Sequence, residues 1–211
     1  MGAAKRRVWD ISQKLRPALP VWPGDTTLSH ERTWQMEEGS PVNVSALTLS
    51  THSGAHADAP LHYSPSGPDI ASVALDPYLG ECLVVDARSA GPLIEIEDLP
   101  ELAKVERVLL RSFEQFPIGQ WADDTKAIAP DTIRHLARCG VKLIGIDGPS
   151  IDPQPSKTID AHKAVLEHDI RVLEGLVLDD VAPGRYELIA LPLPIVSGDA
   201  SPVRAILREL A

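Results

Sequence analysis

The chain has 211 residues, of which 44% are hydrophobic and 24% are charged, a composition typical of an ordinary globular domain. Its 20 Lys and Arg residues and 30 Asp and Glu residues give a formal net charge of −10, which argues against nucleic acid and anionic membrane surfaces as partners. No apolar run approaches the ~20 residues of a membrane span, and residues 1–30 lack a signal-peptide core, so we expect a single cytoplasmic domain over residues 1–211.

Strands and one stiff loop are predicted in the N-terminal part of the chain. Apolar and β-branched residues predict strands at Val8–Ile11, Arg32–Glu37 and Val42–Ser50. Between the first two of these, residues 15–25 contain three prolines and a glycine, which favour an irregular loop.

Apolar runs and helical patterns alternate in the rest of the chain. Five runs rich in apolar residues predict strands, the first three of them buried: Cys82–Asp86, Arg107–Arg111, Val141–Ile146, Val172–Leu178 and Tyr186–Leu193. Helices are predicted at Ile96–Val105, at Pro130–Cys139, and at Ala161–Glu167 with Asp160 as its N-cap. Strands interleaved with a few helices indicate an α/β or α+β domain with a mixed sheet.

Side chains that bind metals are concentrated in one short segment. Three of the seven histidines, His52, His56 and His62, fall within eleven residues that also contain Asp58. Imidazole and carboxylate groups together are the ligand set of Zn²⁺ and similar divalent cations. The segment therefore predicts the active centre of a metal-dependent hydrolase.

The spacing of these residues constrains the backbone. In a straight strand His52 and His56 would lie about 13 Å apart, too far for two ligands that each sit ~2.1 Å from one ion. A helix would bring the two rings together, but Gly54 and Pro60 disfavour a helix here. We therefore expect a strand that ends near Thr51 and a turn at Gly54 that folds the ligands around one point.

Other interpretations of this segment are a solvated polar loop and a purely structural metal site. Structural zinc sites usually contain cysteine, and Cys82 and Cys139 lie elsewhere in the chain. His62 is either a third imidazole ligand or the general acid and base beside a metal-activated water.

The segment His52–His62, H-S-G-A-H-A-D-A-P-L-H, resembles the H-x-G-T-H-x-D-x-P-x-H signature of the metal-dependent cyclase-like hydrolases. Ala55 replaces the usual threonine, but it is not a ligand candidate. The similarity covers most of the chain, in stretches at Val21–Asp25, Gly145–Pro153, Asp160–Lys163, Leu173–Leu176 and Ser201–Ala205. Within this family, the V-W-P-G-D stretch and the length of the chain are most similar to those of the bacterial kynurenine formamidases, also called arylformamidases.

This resemblance implies a fold and a reaction. The fold is a cyclase-like swivelling β/β/α domain with a mixed, partly barrel-like sheet and a few flanking helices. The reaction is zinc-dependent hydrolysis of the formamide of N-formyl-L-kynurenine to L-kynurenine and formate, a step of tryptophan degradation via kynurenine. The resemblance also implies a homodimer.

The resemblance further implies roles for individual residues. Two Zn²⁺ ions per subunit would be bridged by Asp58, although Mn²⁺ or another divalent ion suits the same ligands. The resemblance implies that His52, His56 and Asp58 bind the first zinc and that Asp58, His162 and Glu174 bind the second. It also implies that His62 transfers protons and that Trp22 contacts the substrate.

Three of these residues have an alternative interpretation. Glu174 interrupts an apolar run, where a carboxylate is costly unless it is paired or bound to a metal, but it is alternatively an edge-strand residue facing water. His162 is alternatively a surface residue, with His168 as its competitor. Trp22 lies in the proline-rich loop and alternatively packs against the core of the chain itself.

Four further polar residues receive no role in the site. Asp147 ends a predicted buried strand, a position that often lines the site of an α/β protein, whereas the signal at Asp152 is weaker. Either residue can alternatively cap a turn. His30 and His135 have no partner nearby in sequence and are interpreted as surface residues.

Two rival functions accompany the formamidase hypothesis. Isatin hydrolase and other cyclase-like amidohydrolases share the metal motif, so the substrate can differ within the family. A non-catalytic metal-binding protein is the rival from another class. A serine hydrolase is not supported, because the G-x-S-x-G elbow is absent from the sequence.

Overall fold

The computed structural model describes residues 6–102 and 104–211, in which thirteen strands and three short α-helices form. The strands are Val8–Asp10 (β1), Ser29–Trp34 (β2), Val44–Thr48 (β3), His56–Asp58 (β4), Leu79–Asp86 (β5), Leu93–Ile94 (β6), Arg107–Arg111 (β7), Ala127–Ile128 (β8), Leu143–Ile146 (β9), Arg171–Glu174 (β10), Gly184–Ile189 (β11), Ala200–Pro202 (β12) and Ile206–Arg208 (β13). The helices are Pro60–Tyr63 (α1), Pro130–Arg138 (α2) and Asp160–Glu167 (α3), and 3₁₀ turns occupy Asp76–Tyr78 and Ile96–Asp98. None of the helices in this part of the chain has the length and apolar composition needed to cross a membrane.

Nine of the described strands form one mixed sheet in the order β1-β13-β11-β5-β7-β9-β10-β4-β12. In its middle β5, β7, β9 and β10 run parallel, and the strands on either side of them pair antiparallel. β9 is buried at every residue and β7 at all but its last. Burial on both faces is what their continuous apolar sequences predict.

The sheet curls so that the chain just after its edge strand β1 contacts the segment that follows β10, in the other half of the sheet. The N–H of Ile11, just after β1, donates to the carbonyl of Ala205 at 3.0 Å, and the Ile11 carbonyl accepts the N–H of Val177 at 2.8 Å. An antiparallel bridge between Ser12 and Leu176 continues this contact beyond the end of β10. The predicted mixed, partly barrel-like sheet with few helices is therefore confirmed.

Successive residues of the central strands supply two separate apolar cores. Leu109 and Leu143 belong to one core, whereas their neighbours Leu110 and Ile144 belong to the other. Helices α2 and α3 cover the second core, in which Ile133 of α2 is fully buried. The parallel strands are thus held rigidly from both sides, and their C-terminal ends lead into the site described below.

The predicted helix at Ile96–Val105 is wrong. Within the described residues of this range the helical part is the 3₁₀ turn at Ile96–Asp98, and Leu99 is already extended, with φ −96° and ψ 143°. Leu99 precedes Pro100, and a proline disfavours the α conformation in the residue before it.

The other predicted elements form, some with shifted ends. The β2–β3 hairpin begins three residues earlier than predicted, at Ser29, and ends at Thr48. The strand predicted at Val172–Leu178 stops at Glu174, because Gly175 turns the backbone with φ +65°. A Cβ at Gly175 would meet the Gly54 carbonyl oxygen at 2.4 Å, so this close approach requires glycine.

The prediction that Asp160 caps α3 is also wrong. Asp160 is the first helical residue, and Ile159 occupies the N-cap position with φ 46° and no capping hydrogen bond from its side chain. The carboxylate of Asp152 instead accepts the N–H groups of Ala161 at 2.9 Å and His162 at 3.1 Å. A loop carboxylate thus satisfies the first amides of α3 and fixes its start.

Candidate metal centre

A turn and a short strand carry the ligands predicted near the N-terminus. The backbone turns at Gly54 with φ +69°, as predicted, shortly after β3 ends. β4 then carries His56 and Asp58, and it pairs with β10 on one side and β12 on the other. The register of β4 and β10 sets His56 directly opposite Glu174. Sheet pairing therefore brings Glu174 to the histidine segment.

His56 presents a ring nitrogen to two buried carboxylates. Its Nδ1 donates to the Gly54 carbonyl at 3.0 Å, so in the neutral ring Nε2 carries the lone pair. This Nε2 lies 3.3 Å from Oε2 of Glu174 and 3.6 Å from Oδ1 of Asp58. Among the described residues, neither His56 Nε2 nor Asp58 Oδ1 has an aligned hydrogen-bond partner. A cation between them, either a proton or a metal ion, would offset the repulsion between electron-pair donors that face one another in this way.

His162 repeats the arrangement on the other side of the two carboxylates. Its Nδ1 lies 2.6 Å from Oδ2 of Asp152, which fixes the ring. Its Nε2 lies 3.3 Å from Oδ2 of Asp58 and 3.6 Å from Oε1 of Glu174, and Oε1 also accepts the Ile151 N–H at 2.7 Å. Asp58 and Glu174 therefore each direct one oxygen toward His56 and the other toward His162.

His52 completes the first group of donors. Its Nδ1 lies 3.1 Å from Oδ1 of Asp58, although the ring is not aligned for a hydrogen bond between them. Single donor atoms of His52, His56 and Asp58 all lie within 4.8 Å of one another. The three residues predicted to bind the first metal are thus brought together, His56 and Asp58 buried and His52 half-buried.

The charge balance of the centre favours a bound cation. Asp58 and Glu174 are almost fully buried, and within the described part of the chain the cationic groups at ion-pair distance from them are histidines. Burial opposes protonation of His162, but its carboxylate neighbours outweigh burial and raise its pKa to about 10. Burial likewise opposes the rise at His52, where Asp58 and Asp199 bring the pKa to about 9. Without a metal the pocket holds protons, and a divalent ion would replace them.

His62 lies at the edge of the centre, on helix α1. Its ring centroid is 4.3 Å from that of His52 and 5.7 Å from that of His162, and its side chain is 37% exposed. Donor atoms of Asp58, His62 and His162 also fall within 4.8 Å of one another, so the geometry accommodates either role considered for His62. Access to solvent on one side and to the ligands on the other suits a group that moves protons.

An aromatic cleft opens beside the centre. It has a volume of about 330 Å³ and is lined by His52, His56, His62, His162 and Glu174 together with aromatic side chains. The aromatic lining consists of Trp22, Phe113, Phe116 and Trp121. The chain has only four tryptophans and two phenylalanines, so half of the former and all of the latter face this cleft.

Trp22 lies at the cleft and outside the core. It is 39% exposed and meets Trp121 edge to face, with ring centroids 5.6 Å apart and an interplanar angle of 83°. This placement favours a role in contacting a ligand over packing within the core. The sequence pattern gave no sign of Trp121, which lies in another loop.

Several acidic residues of the site lie outside the predicted set. Asp152 orients His162, and Asp199 contacts both His52 and His62. Asp147 accepts the N–H groups of Ser112 and Phe113 at 2.9 and 3.0 Å, which holds the loop that carries Phe113 in the cleft wall. The position of Asp147 and Asp152 after a buried strand was the available signal for these two residues.

The remaining histidines lie away from the centre. His30 and His168 are exposed, which agrees with the surface interpretation of His30 and removes His168 as a competitor of His162. His135 is half-buried on α2, where its Nε2 lies 3.7 Å from the sulfur of Cys139.

Comparison with protein families places the chain among cyclase-like proteins. A sequence model of the family described as "Putative cyclase" matches residues 9–153. A kynurenine formamidase of Erythrobacter litoralis (strain HTCC2594) is 62% identical over 207 residues, which make up 98% of this chain and 96% of the relative.

Solved structures share the same fold. A potential metal-dependent hydrolase with cyclase activity superposes with a TM-score of 0.86 and 25% sequence identity, covering 98% of this chain and 100% of that protein. Isatin hydrolase A from Ralstonia solanacearum superposes with a TM-score of 0.81 over 97% of this chain and 92% of its own. Its identity is only 21%, so this second likeness concerns the fold alone.

Proposed function

The chain belongs to the cyclase family, and from that premise we propose that it hydrolyses the formamide of N-formyl-L-kynurenine to L-kynurenine and formate. The observation that carries the proposal is the aromatic cleft that opens onto the histidine and carboxylate cluster. Such a cleft holds the ring of an aryl formamide while its formyl carbon faces the cluster. A kynurenine formamidase that is 62% identical over nearly the full length supports this choice of substrate.

We infer that the cluster would hold two zinc ions, with Asp58 as a ligand of both. His52, His56 and Asp58 would hold the first, and Asp58, His162 and Glu174 the second. The Nε2 atoms of His56 and His162, each turned toward Asp58 and Glu174, and the divided carboxylate oxygens support this assignment. When bound, a divalent ion supplies a nucleophilic water near neutral pH and polarises the formyl carbonyl. Mn²⁺ suits the same nitrogen and oxygen donors, so zinc is a choice within that group.

His62 would transfer the protons of the reaction. It takes a proton from the attacking water as the new C–O bond forms at the formyl carbon. It then delivers that proton to the aniline nitrogen as the C–N bond breaks, so that kynurenine leaves as a neutral amine. The half-exposed ring of His62 next to His52 and His162 supports this role.

Trp22 would hold the aromatic ring of the substrate. Its exposed face and its edge-to-face contact with Trp121 form one wall of the cleft, and Phe113 and Phe116 contribute further aromatic surface. Apolar burial of the ring fixes the orientation of the attached formamide relative to His62.

Turnover of two substrates tests the proposal against its rivals. Purified protein supplied with Zn²⁺ is expected to release formate and kynurenine from N-formylkynurenine faster than it opens the ring of isatin. Faster opening of isatin would support the rival hydrolase, whose likeness to this chain rests on the fold. Absence of turnover on both substrates, with metal bound, would support a non-catalytic metal-binding protein.

We further propose that the protein works in the cytoplasm as a homodimer that pairs through the β2–β3 hairpin. Every residue of both strands is exposed, including Trp34 at 61% and Leu47 at 57%. A two-stranded hairpin that is bare on both faces is at best marginally stable, and a second copy would cover it. Trp34→Asp combined with Leu47→Asp is expected to halve the mass measured by light scattering. An unchanged mass would contradict this interface.

A further inference from the structure

Asp199 joins the two histidines that the proposed mechanism treats separately. It lies just before β12, and its Oδ2 is 3.1 Å from Nε2 of His52 and 3.5 Å from Nδ1 of His62. Its other oxygen, Oδ1, accepts the hydroxyl of Thr51 at 2.9 Å. One carboxylate oxygen is therefore shared by two imidazole rings, and the other is held by the residue next to His52.

The backbone around Asp199 is fixed to the segment that carries these rings. The Asp199 carbonyl accepts the N–H of Ala59 at 2.9 Å, between Asp58 and the start of α1. β12 continues the contact, since Ala200 pairs directly with Asp58. Asp199 is thus held relative to both the ligand strand and the helix of His62 before its side chain makes any contact.

The contact with His52 determines which of its nitrogens is free. A carboxylate only accepts, so Nε2 of His52 carries the proton in the neutral ring and Nδ1 carries the lone pair. Nδ1 is the nitrogen that faces Oδ1 of Asp58, at 3.1 Å. Partners of this kind behind a metal-binding histidine set the tautomer and the direction of the ring.

At the edge of the centre, the same carboxylate oxygen lies at ion-pair distance from Nδ1 of His62 and favours a proton on that nitrogen. With Nδ1 toward Asp199, the opposite nitrogen, Nε2, is left to exchange protons. The side chain of Asp199 is 44% exposed and that of His62 is 37% exposed, so neither is held by burial alone. A shared acceptor restricts the rotation of a ring that is otherwise free to turn toward solvent.

We propose that Asp199 is a positioning residue that directs Nδ1 of His52 into the metal site and Nε2 of His62 toward the reacting formamide. This inference rests on the proposed function for the role of His62, but not for the effect on metal binding. One half-exposed carboxylate would thus orient both a metal ligand and the proton-transfer group.

Metal affinity and kinetics of three variants of the full chain test this inference. Asp199→Ala is expected to weaken Zn²⁺ binding, measured by competition with a chromophoric chelator, by ~10–100-fold, and to lower kcat while KM changes little. Asp199→Asn keeps an oxygen that can accept from His52 and is expected to recover most of the affinity. Asp69→Ala is the control, because Asp69 accepts the Ser197 N–H at 2.7 Å and so holds the same loop without contacting either ring.

The outcomes separate the two proposals. If Asp199→Ala binds Zn²⁺ as tightly as the wild type, or if Asp69→Ala weakens binding equally, the positioning role is overturned. If the wild type binds Zn²⁺ but leaves N-formylkynurenine intact, the proposed function fails, and the affinity series still decides whether Asp199 orients His52. Circular dichroism of each variant confirms that the compared proteins are folded.

Discussion

His56 and Glu174 lie directly opposite each other in the pairing of β4 and β10, with Nε2 of the imidazole 3.3 Å from Oε2 of the carboxylate. Both side chains are buried, and Nε2 of His56 has no aligned hydrogen-bond donor among the described residues. A shift of one residue in this register would turn Glu174 to the other face of the sheet. The candidate metal centre therefore depends on the pairing of β4 with β10 as well as on the histidine segment.

Glu174→Gln is expected to weaken metal binding strongly. The amide has the shape of the carboxylate but lacks its charge, and its NH₂ group would point at one of two ring nitrogens that carry lone pairs. We expect a loss of at least ~100-fold in kcat/KM with a parallel fall in metal per chain measured by mass spectrometry. Glu167→Gln is the matched control, since Glu167 is an exposed residue of α3 that forms an ion pair with Arg134 of α2. Equal metal content in the two variants would contradict the ligand role of Glu174.

The metal-free protein is expected to lose stability as the pH rises. Burial opposes protonation of His162 and His52, but their carboxylate partners outweigh it and raise the pKa values to about 10 and about 9, from 6.5 in the unfolded chain. Because the folded state binds these protons more tightly, the stabilisation is complete below pH 6.5 and disappears as the pH passes through 9 to 10.

Urea unfolding in the presence of a chelator measures this effect. The free energy of unfolding of the wild type should fall between about pH 6 and pH 10, and that of His162→Gln should fall less steeply over the same range. His168→Gln, which alters an exposed histidine, should follow the wild type. Identical pH slopes in all three proteins would show that His162 does not hold a proton in the metal-free state.

Trp22→Ala is expected to raise KM for N-formylkynurenine by about tenfold. The substitution removes one wall of the aromatic cleft and its contact with Trp121, and aromatic contacts contribute ~0.5–1.5 kcal/mol beyond the area that they bury. Trp22→Phe retains a ring and should recover most of the loss. Steady-state kinetics on a small formamide without an aromatic ring provides the control, because that substrate should not distinguish the variants. An unchanged KM for N-formylkynurenine in Trp22→Ala would show that the aromatic ring of the substrate does not bind against Trp22.

His62→Gln is expected to keep its metal and lose its turnover. General acid and base catalysis by a placed side chain contributes ~10²–10⁴-fold, so kcat should fall within that range while metal per chain stays at the wild-type value. His168→Gln, which alters an exposed histidine just after α3, should leave both quantities unchanged. A parallel loss of metal and activity in His62→Gln would instead identify His62 as a ligand.

The sequence predicts the first half of the candidate metal centre because its three proposed ligands are neighbours. His52, His56 and Asp58 lie within seven residues of one another, and Gly54 between them provides the turn that this spacing demands. His162 and Glu174 are implied by family resemblance alone, because both meet the histidine segment through contacts more than one hundred residues apart in sequence. His162 reaches Asp58 from helix α3, and Glu174 lies opposite His56 through the pairing of β10 with β4.

The sequence does not predict contacts between side chains that lie on separate loops. Asp199 reaches His52 through the pairing of β12 with β4, and no pattern around it signals that contact. Trp121 meets Trp22 across the cleft from a separate loop. The predicted helix at Ile96–Val105 fails for a local reason, because Pro100 keeps Leu99 extended despite the helical spacing of the apolar residues.

Metal titration coupled to formate release tests the central claim most directly. Protein stripped with a chelator should be inactive on N-formylkynurenine, and activity should return as Zn²⁺ is added, reaching a plateau at about two ions per chain, as a bridged two-metal site requires. Full activity of the stripped protein, or failure of the folded chain to bind any divalent ion, would contradict a metal centre built on His52, His56, Asp58, His162 and Glu174.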